Sequence, residues 1–439
     1  MRITASAVAG CTGGVLVGGD AEATGLSFDT RTLAEGEAFV AIVAQRDGHD
    51  HLPAAAASGA PFAIVARGRA VASLPCVEVD DTVEALAAVG SMCRDALGAV
   101  PVIGITGSAG KTSTKDFVLA VLRAGLGSVH GAHKSFNNDV GVPVTLAAAP
   151  EESRAVVVEM GMRGHGEITR LCRVARPTVG IVTIVGDAHS DRVGGIDGVA
   201  RAKSELPASL PIDGTAVLNG DDARVRAMAA VTAARVVTYG TGVDNDVRVT
   251  TLSVDSEGRH TVEFSHAGVT AAAKVGAPGA HMAMNACAAV ATGVVLGVSL
   301  EVAAAAVGDV HLAGQRMQWH TAPSGARVLD DSYNANSSSM EAALRTVAAV
   351  GTGRRLAVLG AMAELEDPAA AHAAVARIAS GLGITVLPLE TDLYGAPAMG
   401  LDDVVGAVIG IGAGDVVLVK GSRSSRTERV VSALLGAGG

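Results

Sequence analysis

Residues 101–122 read PVIGITGSAGKTSTKDFVLAVL. An apolar run, Pro101 to Ile105, enters a glycine-rich turn and leaves it on Gly110-Lys111-Thr112, after which apolar residues recur at helical spacing. Strand, glycine turn and helix in that order read as a phosphate loop. Glycines let backbone N–H groups come close to phosphate oxygens, and the helix N-terminus adds positive potential. Lys111 reaches the outer phosphates, and the Thr112 hydroxyl suits Mg2+. Gly107, Ser108, Ala109, Gly110 and Ser113 make up the rest of the cradle. The strict spacing asks for glycine at 105, where this chain has Ile105, so Gly107 and Gly110 carry the turn. A glycine-rich strand–helix turn without a ligand is the competing reading, and Gly-Lys-Thr in this context speaks against it.

In an open parallel sheet, ligands gather beyond the carboxyl ends of the strands. Two further strand ends carry suitable chemistry. AVVVEM closes on Glu159 and Met160, and TVGIVTIVGDAHSD brings Asp187 and His189 just past a strand. A carboxylate and an imidazole beside a threonine hydroxyl and phosphates suit a magnesium shell. Each alone reads as a solvated strand end or a loop histidine. In GIDGVARAKSEL, Ile196, Val199 and Leu206 share one side of a helix, and Lys203 reads on its own as a solvated lysine paired with Glu205. LDDSYNANSSSMEAAL places Asp330, Asp331, Tyr333, Asn334 and Asn336 on a strand-to-helix loop capped by Ser337 or Ser338. A capping loop explains the Asn and Ser residues but not the Tyr, which points to ligand recognition. VLVKGSRSSRTERVV sets Lys420, Ser422 and Arg423 at another strand end, as an anion site or a solvated basic turn.

The chain has 439 residues, which suggests about three domains. Residues 1–98 hold short strands such as GLSFDTR and end in a helical stretch, TVEALAAVGSMCRDAL. Residues 99–313 alternate apolar runs with helical patterns, implying a doubly wound parallel sheet. Within them, 244–276 alternates at period two around Asp255-Ser-Glu-Gly258, an added antiparallel hairpin. From 314 to 439 the strand–helix alternation restarts as a second Rossmann-like unit. The expected class is α/β in three domains.

Composition excludes several roles. A net charge of −10 without a basic run argues against binding nucleic acid or anionic membranes in general. One Trp, three Tyr and six Phe cannot build a base-stacking platform. Five scattered cysteines form no CxxC, so neither a disulfide framework nor a zinc site is expected. Mean hydropathy is +0.39, yet the most apolar stretch, Met282 to Leu300, is broken by polar residues. It reads as a buried helix, a Gly stop and a new Ser cap. The N-terminus lacks a signal-peptide core, so a cytosolic protein is expected. Of the 34 basic residues only six are lysine: Lys111, Lys115, Lys134, Lys203, Lys274 and Lys420.

Taken together, these stretches resemble the Mur ligase family, nearly end to end. FDTR around Asp29, EAFVAI and RDGHDHL are similar to its uridine-nucleotide-binding first domain, and GITGSAGKTSTK to its ATP loop. KSFNNDVGVPVTL, VVEMGMRGHGEI, GDAH, RAKSEL, NGDD and AHMAMNACAA follow in family order. LDDSYNANSSSMEAAL, LGAMAEL and LVKGSR resemble the member that adds D-Ala-D-Ala to UDP-N-acetylmuramoyl-tripeptide during peptidoglycan precursor synthesis. The resemblance implies an ATP-driven amide ligation through an acyl phosphate. It implies that Lys111 and Thr112 hold ATP phosphates and magnesium, and that Glu159, His189 and a carbamoylated Lys203 ligate magnesium. Asn285, Arg316, Asp331 and Tyr333 would contact the nucleotide. Ser27, Thr30, Arg31, Asp47 and His49 would hold the UDP-sugar. Asn137, Asn138, Asn334, Asn336, Lys420 and Arg423 would face the substrates. The partners implied are these small molecules alone, with a monomer whose hinged domains close on them.

Ala361, Glu366, Asp367, Ser337 and the stretch DAHSDRVGG depart from the family pattern, and 384–412 is short. These departures read as clustering toward the amine acceptor. Two further readings stay open: a paralogue with another amine acceptor or acyl donor, and a nucleotide-binding protein without catalysis.

Overall fold

The computed structural model describes residues 1–132, 135–350, 353–408 and 410–436; Lys134 lies outside them. A nine-stranded sheet dominates. Its strands run in the order 269–278, 259–266, 247–254, 235–240, 215–219, 179–182, 102–106, 155–159, 129–131. From Val247–Val254 to Val129–Gly131 all pairings are parallel. Strand Val102–Thr106 is buried at every residue and sits between Ala155–Glu159 and Val179–Val182. That pattern is what continuous Val/Ile runs produce when helices cover both faces. The fold class is α/β with several largely parallel sheets.

The added antiparallel element has one strand more than the expected hairpin. Val247–Val254, Arg259–His266 and Val269–Pro278 form a meander. Its first turn is the one read from Asp255, whose Oδ1 accepts from the N–H groups of Glu257 and Arg259, both at 2.8 Å. The second turn puts Ala267 and Gly268 at φ 48° and 83°. Alanine is an uncommon occupant of such a two-residue turn, which normally declares itself through Asn-Gly or Asp-Gly.

The N-terminal unit has a five-stranded sheet ordered 15–17, 76–79, 63–66, 37–40, 25–27 and a small pair, Ile3–Thr4 with Glu22–Ala23. The C-terminal unit orders its strands 318–321, 327–330, 416–420, 355–359, 385–388. Gln318–Thr321, an antiparallel edge strand, was not expected from the sequence. Trp319 in it donates from Nε1 to the Glu257 carbonyl at the tip of the meander, 2.9 Å away, and the Arg327 guanidinium stacks on its ring at 3.9 Å. Apolar packing runs across the units. Helix Thr82–Ala96 packs on Gly141–Ala147 and Glu167–Ala175, and one continuous core joins the first sheet to one face of the central sheet. Another joins the opposite face to the C-terminal unit.

The stretch from Met282 behaves as read. Helix Ala280–Val295 is buried along most of its length, Gly297 has φ 83°, and Ser299 caps helix Leu300–Ala306 by accepting from Val302 N–H. Among the described residues no helix is long and apolar enough to cross a membrane.

Candidate active site

The glycine turn folds as it does because no side chain fits there. Gly107 has φ 152°, and a Cβ on it would lie 1.8 Å from Thr183 Oγ1; on Gly110, at φ 81°, it would lie 2.7 Å from Asn285 Oδ1. The turn is pinned to the neighbouring strand end. Ser108 N–H donates to the Ile184 carbonyl at 2.8 Å, and the Thr183 hydroxyl donates to the Ala109 carbonyl at 2.6 Å. Helix Lys111–Leu126 starts immediately after it. Lys111 Nζ folds back to the Gly107 carbonyl at 2.8 Å. Burial lowers its pKa, against the opposing pull of Glu159.

Thr112 Oγ1 donates to Glu159 Oε2 at 3.1 Å, and Glu159 is fully buried. Its other oxygen has no hydrogen-bond partner, although Lys115 Nζ stands 3.9 Å away. Burial raises the Glu159 pKa, opposed first by Lys115. Lys115 was not singled out in the sequence. It lies one helical turn after Lys111, buried against the Ala132 carbonyl (3.0 Å) and Asp116 (3.2 Å). A lysine at i+4 from the loop lysine was the available signal.

Lys203 is not the solvated helix lysine that its sequence suggested. It is 2% exposed, with no hydrogen-bond or ion-pair partner among the described residues. Glu205 instead accepts from Gly166 and Thr169. Burial drives the Lys203 pKa well below the ordinary lysine value, and Lys111 adds to the shift. His189 sits at φ 63°, and its Nδ1 lies 2.7 Å from Glu364 Oε2, out of line for a full hydrogen bond. Burial lowers its pKa, with Glu364 opposing.

A cavity of about 920 Å³ opens beside the loop. It brings together residues 108–113, Asn137, Asn138, His189, Asn285, Arg316, Asp331, Tyr333, Asn334, Asn336, Lys420 and Arg423, drawn from the central and C-terminal units. His281 joins them, its pKa pushed down to about 4 by burial. The Arg316 guanidinium lies over the Tyr333 ring at 4.0 Å, and the Tyr333 hydroxyl bonds Ser135. Asn336 is the cap of helix Ser337–Ala349, not Ser337 or Ser338. Its side chain accepts from Ser339 N–H and donates from Nδ2 to the Ser108 carbonyl at 3.0 Å, tying helix to loop. Lys420 is 2% exposed and not a free basic turn: it pairs with Asp331 and donates to the Asn334 carbonyl at 2.8 Å. Arg423 reaches Gln315 Oε1 at 3.4 Å.

Ser27, Thr30, Arg31, Asp47 and His49 do not line this cavity. Arg31 turns back on Asp29 through Nε and Nη2. His49 is buried with both ring nitrogens engaged, Nδ1 on Asp47 Oδ1 at 2.6 Å and Nε2 accepting from Ala66 N–H at 2.9 Å. Asp47 is held at a pKa of about 2, first by the His49 backbone N–H.

Several departures from the family pattern face one another away from the cavity. Asp187, Ser337 and Glu366 do not line it. The Ser337 hydroxyl bonds the Asp187 carboxylate, and Glu366 N–H donates to Ser190 Oγ at 3.1 Å. Their place is the seam between the central and C-terminal units.

Comparison with known proteins agrees with this geometry. Residues 105–293 match the Mur ligase middle domain and 315–423 the Mur ligase glutamate ligase domain. A protein of Mycobacterium tuberculosis named UDP-N-acetylmuramoyl-tripeptide--D-alanyl-D-alanine ligase is 37% identical over 82% of this chain and 76% of its own. Its Escherichia coli namesake is 32% identical over 99% and 98%. The crystal structure of MurF from Acinetobacter baumannii superposes with a TM-score of 0.88 at 27% identity, covering 99% of both chains. With both domains matched in order and more than a third of the residues shared over four-fifths of its length, the chain belongs to the Mur ligase family.

Proposed function

We propose that this chain is an ATP-dependent amide ligase that joins D-Ala-D-Ala to UDP-N-acetylmuramoyl-tripeptide in peptidoglycan precursor synthesis. The single observation that carries it is the shared cavity, where the phosphate loop of the central unit meets Asp331, Tyr333, Asn334 and Lys420 of the C-terminal unit. The tripeptide carboxylate attacks the γ-phosphorus of ATP, and the bond to the β-phosphate oxygen breaks to leave ADP and an acyl phosphate. The amine of the dipeptide then attacks the acyl carbon, phosphate departs and the nitrogen loses a proton. Two anions must be held together for this, so local cations and positioning carry the catalysis.

The loop N–H groups and Lys111 hold the outer phosphates. Asn285 and the Arg316–Tyr333 stack face the nucleotide. Asn137, Asn138, Asn334 and Arg423 face the two substrates, and Lys420 sets the Asp331–Asn334 loop. The UDP-sugar is assigned to the first unit around Ser27, Thr30, Arg31, Asp47 and His49. The internal bonding of Arg31 and His49 makes theirs a shaping role. We take 98/99 and 313/314 as the domain boundaries.

The residues present fit magnesium. Glu159 has an orphaned oxygen beside the Thr112 hydroxyl. Among the described residues no three His, Cys, Asp or Glu side chains converge on a metal position. Glu159 and His189 therefore need another anionic ligand. The buried Lys203 amine, whose pKa burial lowers, in its unprotonated form adds carbon dioxide and loses a proton to become the carbamate that supplies it. Magnesium bound there would screen phosphate charge.

The test is phosphate release and pentapeptide formation with ATP, Mg2+, UDP-muramoyl-tripeptide and D-Ala-D-Ala. No turnover with this set would sink the reading. Preference for another amine in a panel of amino acids and dipeptides would favour the paralogue reading. Ser337 and Glu366 do not line the cavity, so their departures do not by themselves favour another amine.

A further inference from the structure

Glu364, which pairs with His189, has no part in the reading above. His189 comes from the loop after strand Val179–Val182 of the central unit, and Glu364 from the loop after strand Arg355–Leu359 of the C-terminal unit. Both line the shared cavity. Glu364 Oε2 lies 2.7 Å from His189 Nδ1, and Oε1 lies 3.9 Å from Arg192.

Both residues sit in left-handed backbone, at φ 63° and 60°. Such a conformation is unfavourable for a non-glycine residue and persists where its surroundings over-determine it. The surroundings here do so. Gly360 N–H donates to the Lys420 carbonyl at 2.9 Å, and Met362 N–H donates to His372 Nε2 at 2.8 Å. The Ala361 carbonyl accepts from Ser422 N–H and the Ser425 hydroxyl. Met362 and Leu365, on either side, are buried. Glu364 is thus delivered on a pinned loop, and Glu366 N–H ties that loop to Ser190, the residue after His189.

A histidine that ligates a metal through one ring nitrogen commonly gives its other N–H to a carboxylate, which fixes the tautomer and the ring plane. A carboxylate this close to Nδ1 favours the proton on that nitrogen and leaves the Nε2 lone pair for a cation.

We propose that Glu364 is a positioning residue for the metal site, orienting the His189 imidazole from the other side of the domain seam. The site then reaches full affinity for a divalent cation only when the C-terminal unit is seated on the central one. This rests on the reading of His189 as a magnesium ligand.

The experiment titrates Mn2+, followed by its paramagnetic resonance signal, into the full-length protein with ADP. Glu364→Gly suits the backbone at φ 60° and removes the carboxylate, so the loop keeps its form. It is expected to weaken Mn2+ binding about 10–100-fold. Glu364→Gln, which keeps the side-chain length and a polar oxygen beside Nδ1, recovers part of that loss. Glu366→Gln, a charge loss on the same loop, leaves binding unchanged. On a His189→Ala background, Glu364→Gly adds nothing further. In turnover, Glu364→Gly raises the apparent KM for Mg2+ more than it lowers kcat. Unchanged Mn2+ affinity in Glu364→Gly, with His189→Ala weakened, overturns this inference alone. So does a Glu364→Gly effect that persists on the His189→Ala background. If His189→Ala itself binds Mn2+ normally, the assignment of His189 as a ligand fails and the inference falls with it.

Discussion

Lys203 shows how far a single residue can be read. Its helix and its apolar neighbours were legible, since Val199 and Leu206 are buried as their spacing requires. Its own burial was not, because a lysine gives no local sign that its helix turns it inward. An unpartnered amine at 2% exposure is a stability liability. Its pKa in the folded chain lies well below the unfolded value. Between the two, the unfolded chain holds a proton that the folded chain has given up, so this residue makes stability rise with pH from its lowered folded pKa up toward the ordinary lysine value. Lys203→Met, assayed in carbon-dioxide-free buffer, should therefore raise Tm at pH 7 by a few degrees and flatten that slope, while abolishing ligation. Lys203→Arg should also be inactive, because a guanidinium cannot form the carbamate. Thermal melts across pH, beside phosphate release, check both.

At the scale of elements, the phosphate loop was the most legible part, because glycine, lysine and threonine at fixed offsets each have one physical job. Gly107→Ala places a methyl against Thr183 Oγ1. The variant should lose ATP affinity by at least about tenfold, and overpacking should lower stability by about 1–3 kcal/mol. Adding Thr183→Ala should restore part of the stability, since the threonine hydroxyl is the clashing atom; nucleotide titration and denaturant midpoints read the two effects. The cap of helix Ser337–Ala349 was harder. Asn336 and the serines after it are all good caps, and only the hydrogen bond to Ser108 decides among them. The third meander strand and edge strand Gln318–Thr321 were missed for a related reason. Both are short or turned by residues that send no turn signal, and both gain stability from tertiary pairing.

At the scale of the whole molecule, the order of strands and helices was legible, but which strand ends face one another was not. Sequence distance hides the seam, where Asp187 and Ser337 meet across 150 positions. Asp187 Oδ1 is buried there without a partner, so the serine hydroxyl matters to the other oxygen. Ser337→Ala should cost about 1–3 kcal/mol by stranding the carboxylate, and Asp187→Ala/Ser337→Ala should cost less than the two single changes summed. A double-mutant cycle on denaturant midpoints measures this. Independent additivity would show that the pair does not hold the seam.

The sole tryptophan of the chain lies on that same C-terminal unit, with its indole N–H on the Glu257 carbonyl of the central unit and the Arg327 guanidinium over its face. An indole so placed is a built-in optical reporter. Its emission, excited apart from three tyrosines, registers whether the C-terminal unit is seated on the meander tip. Any movement of the C-terminal unit away from the meander tip can therefore be followed by stopped-flow fluorescence without attaching a dye.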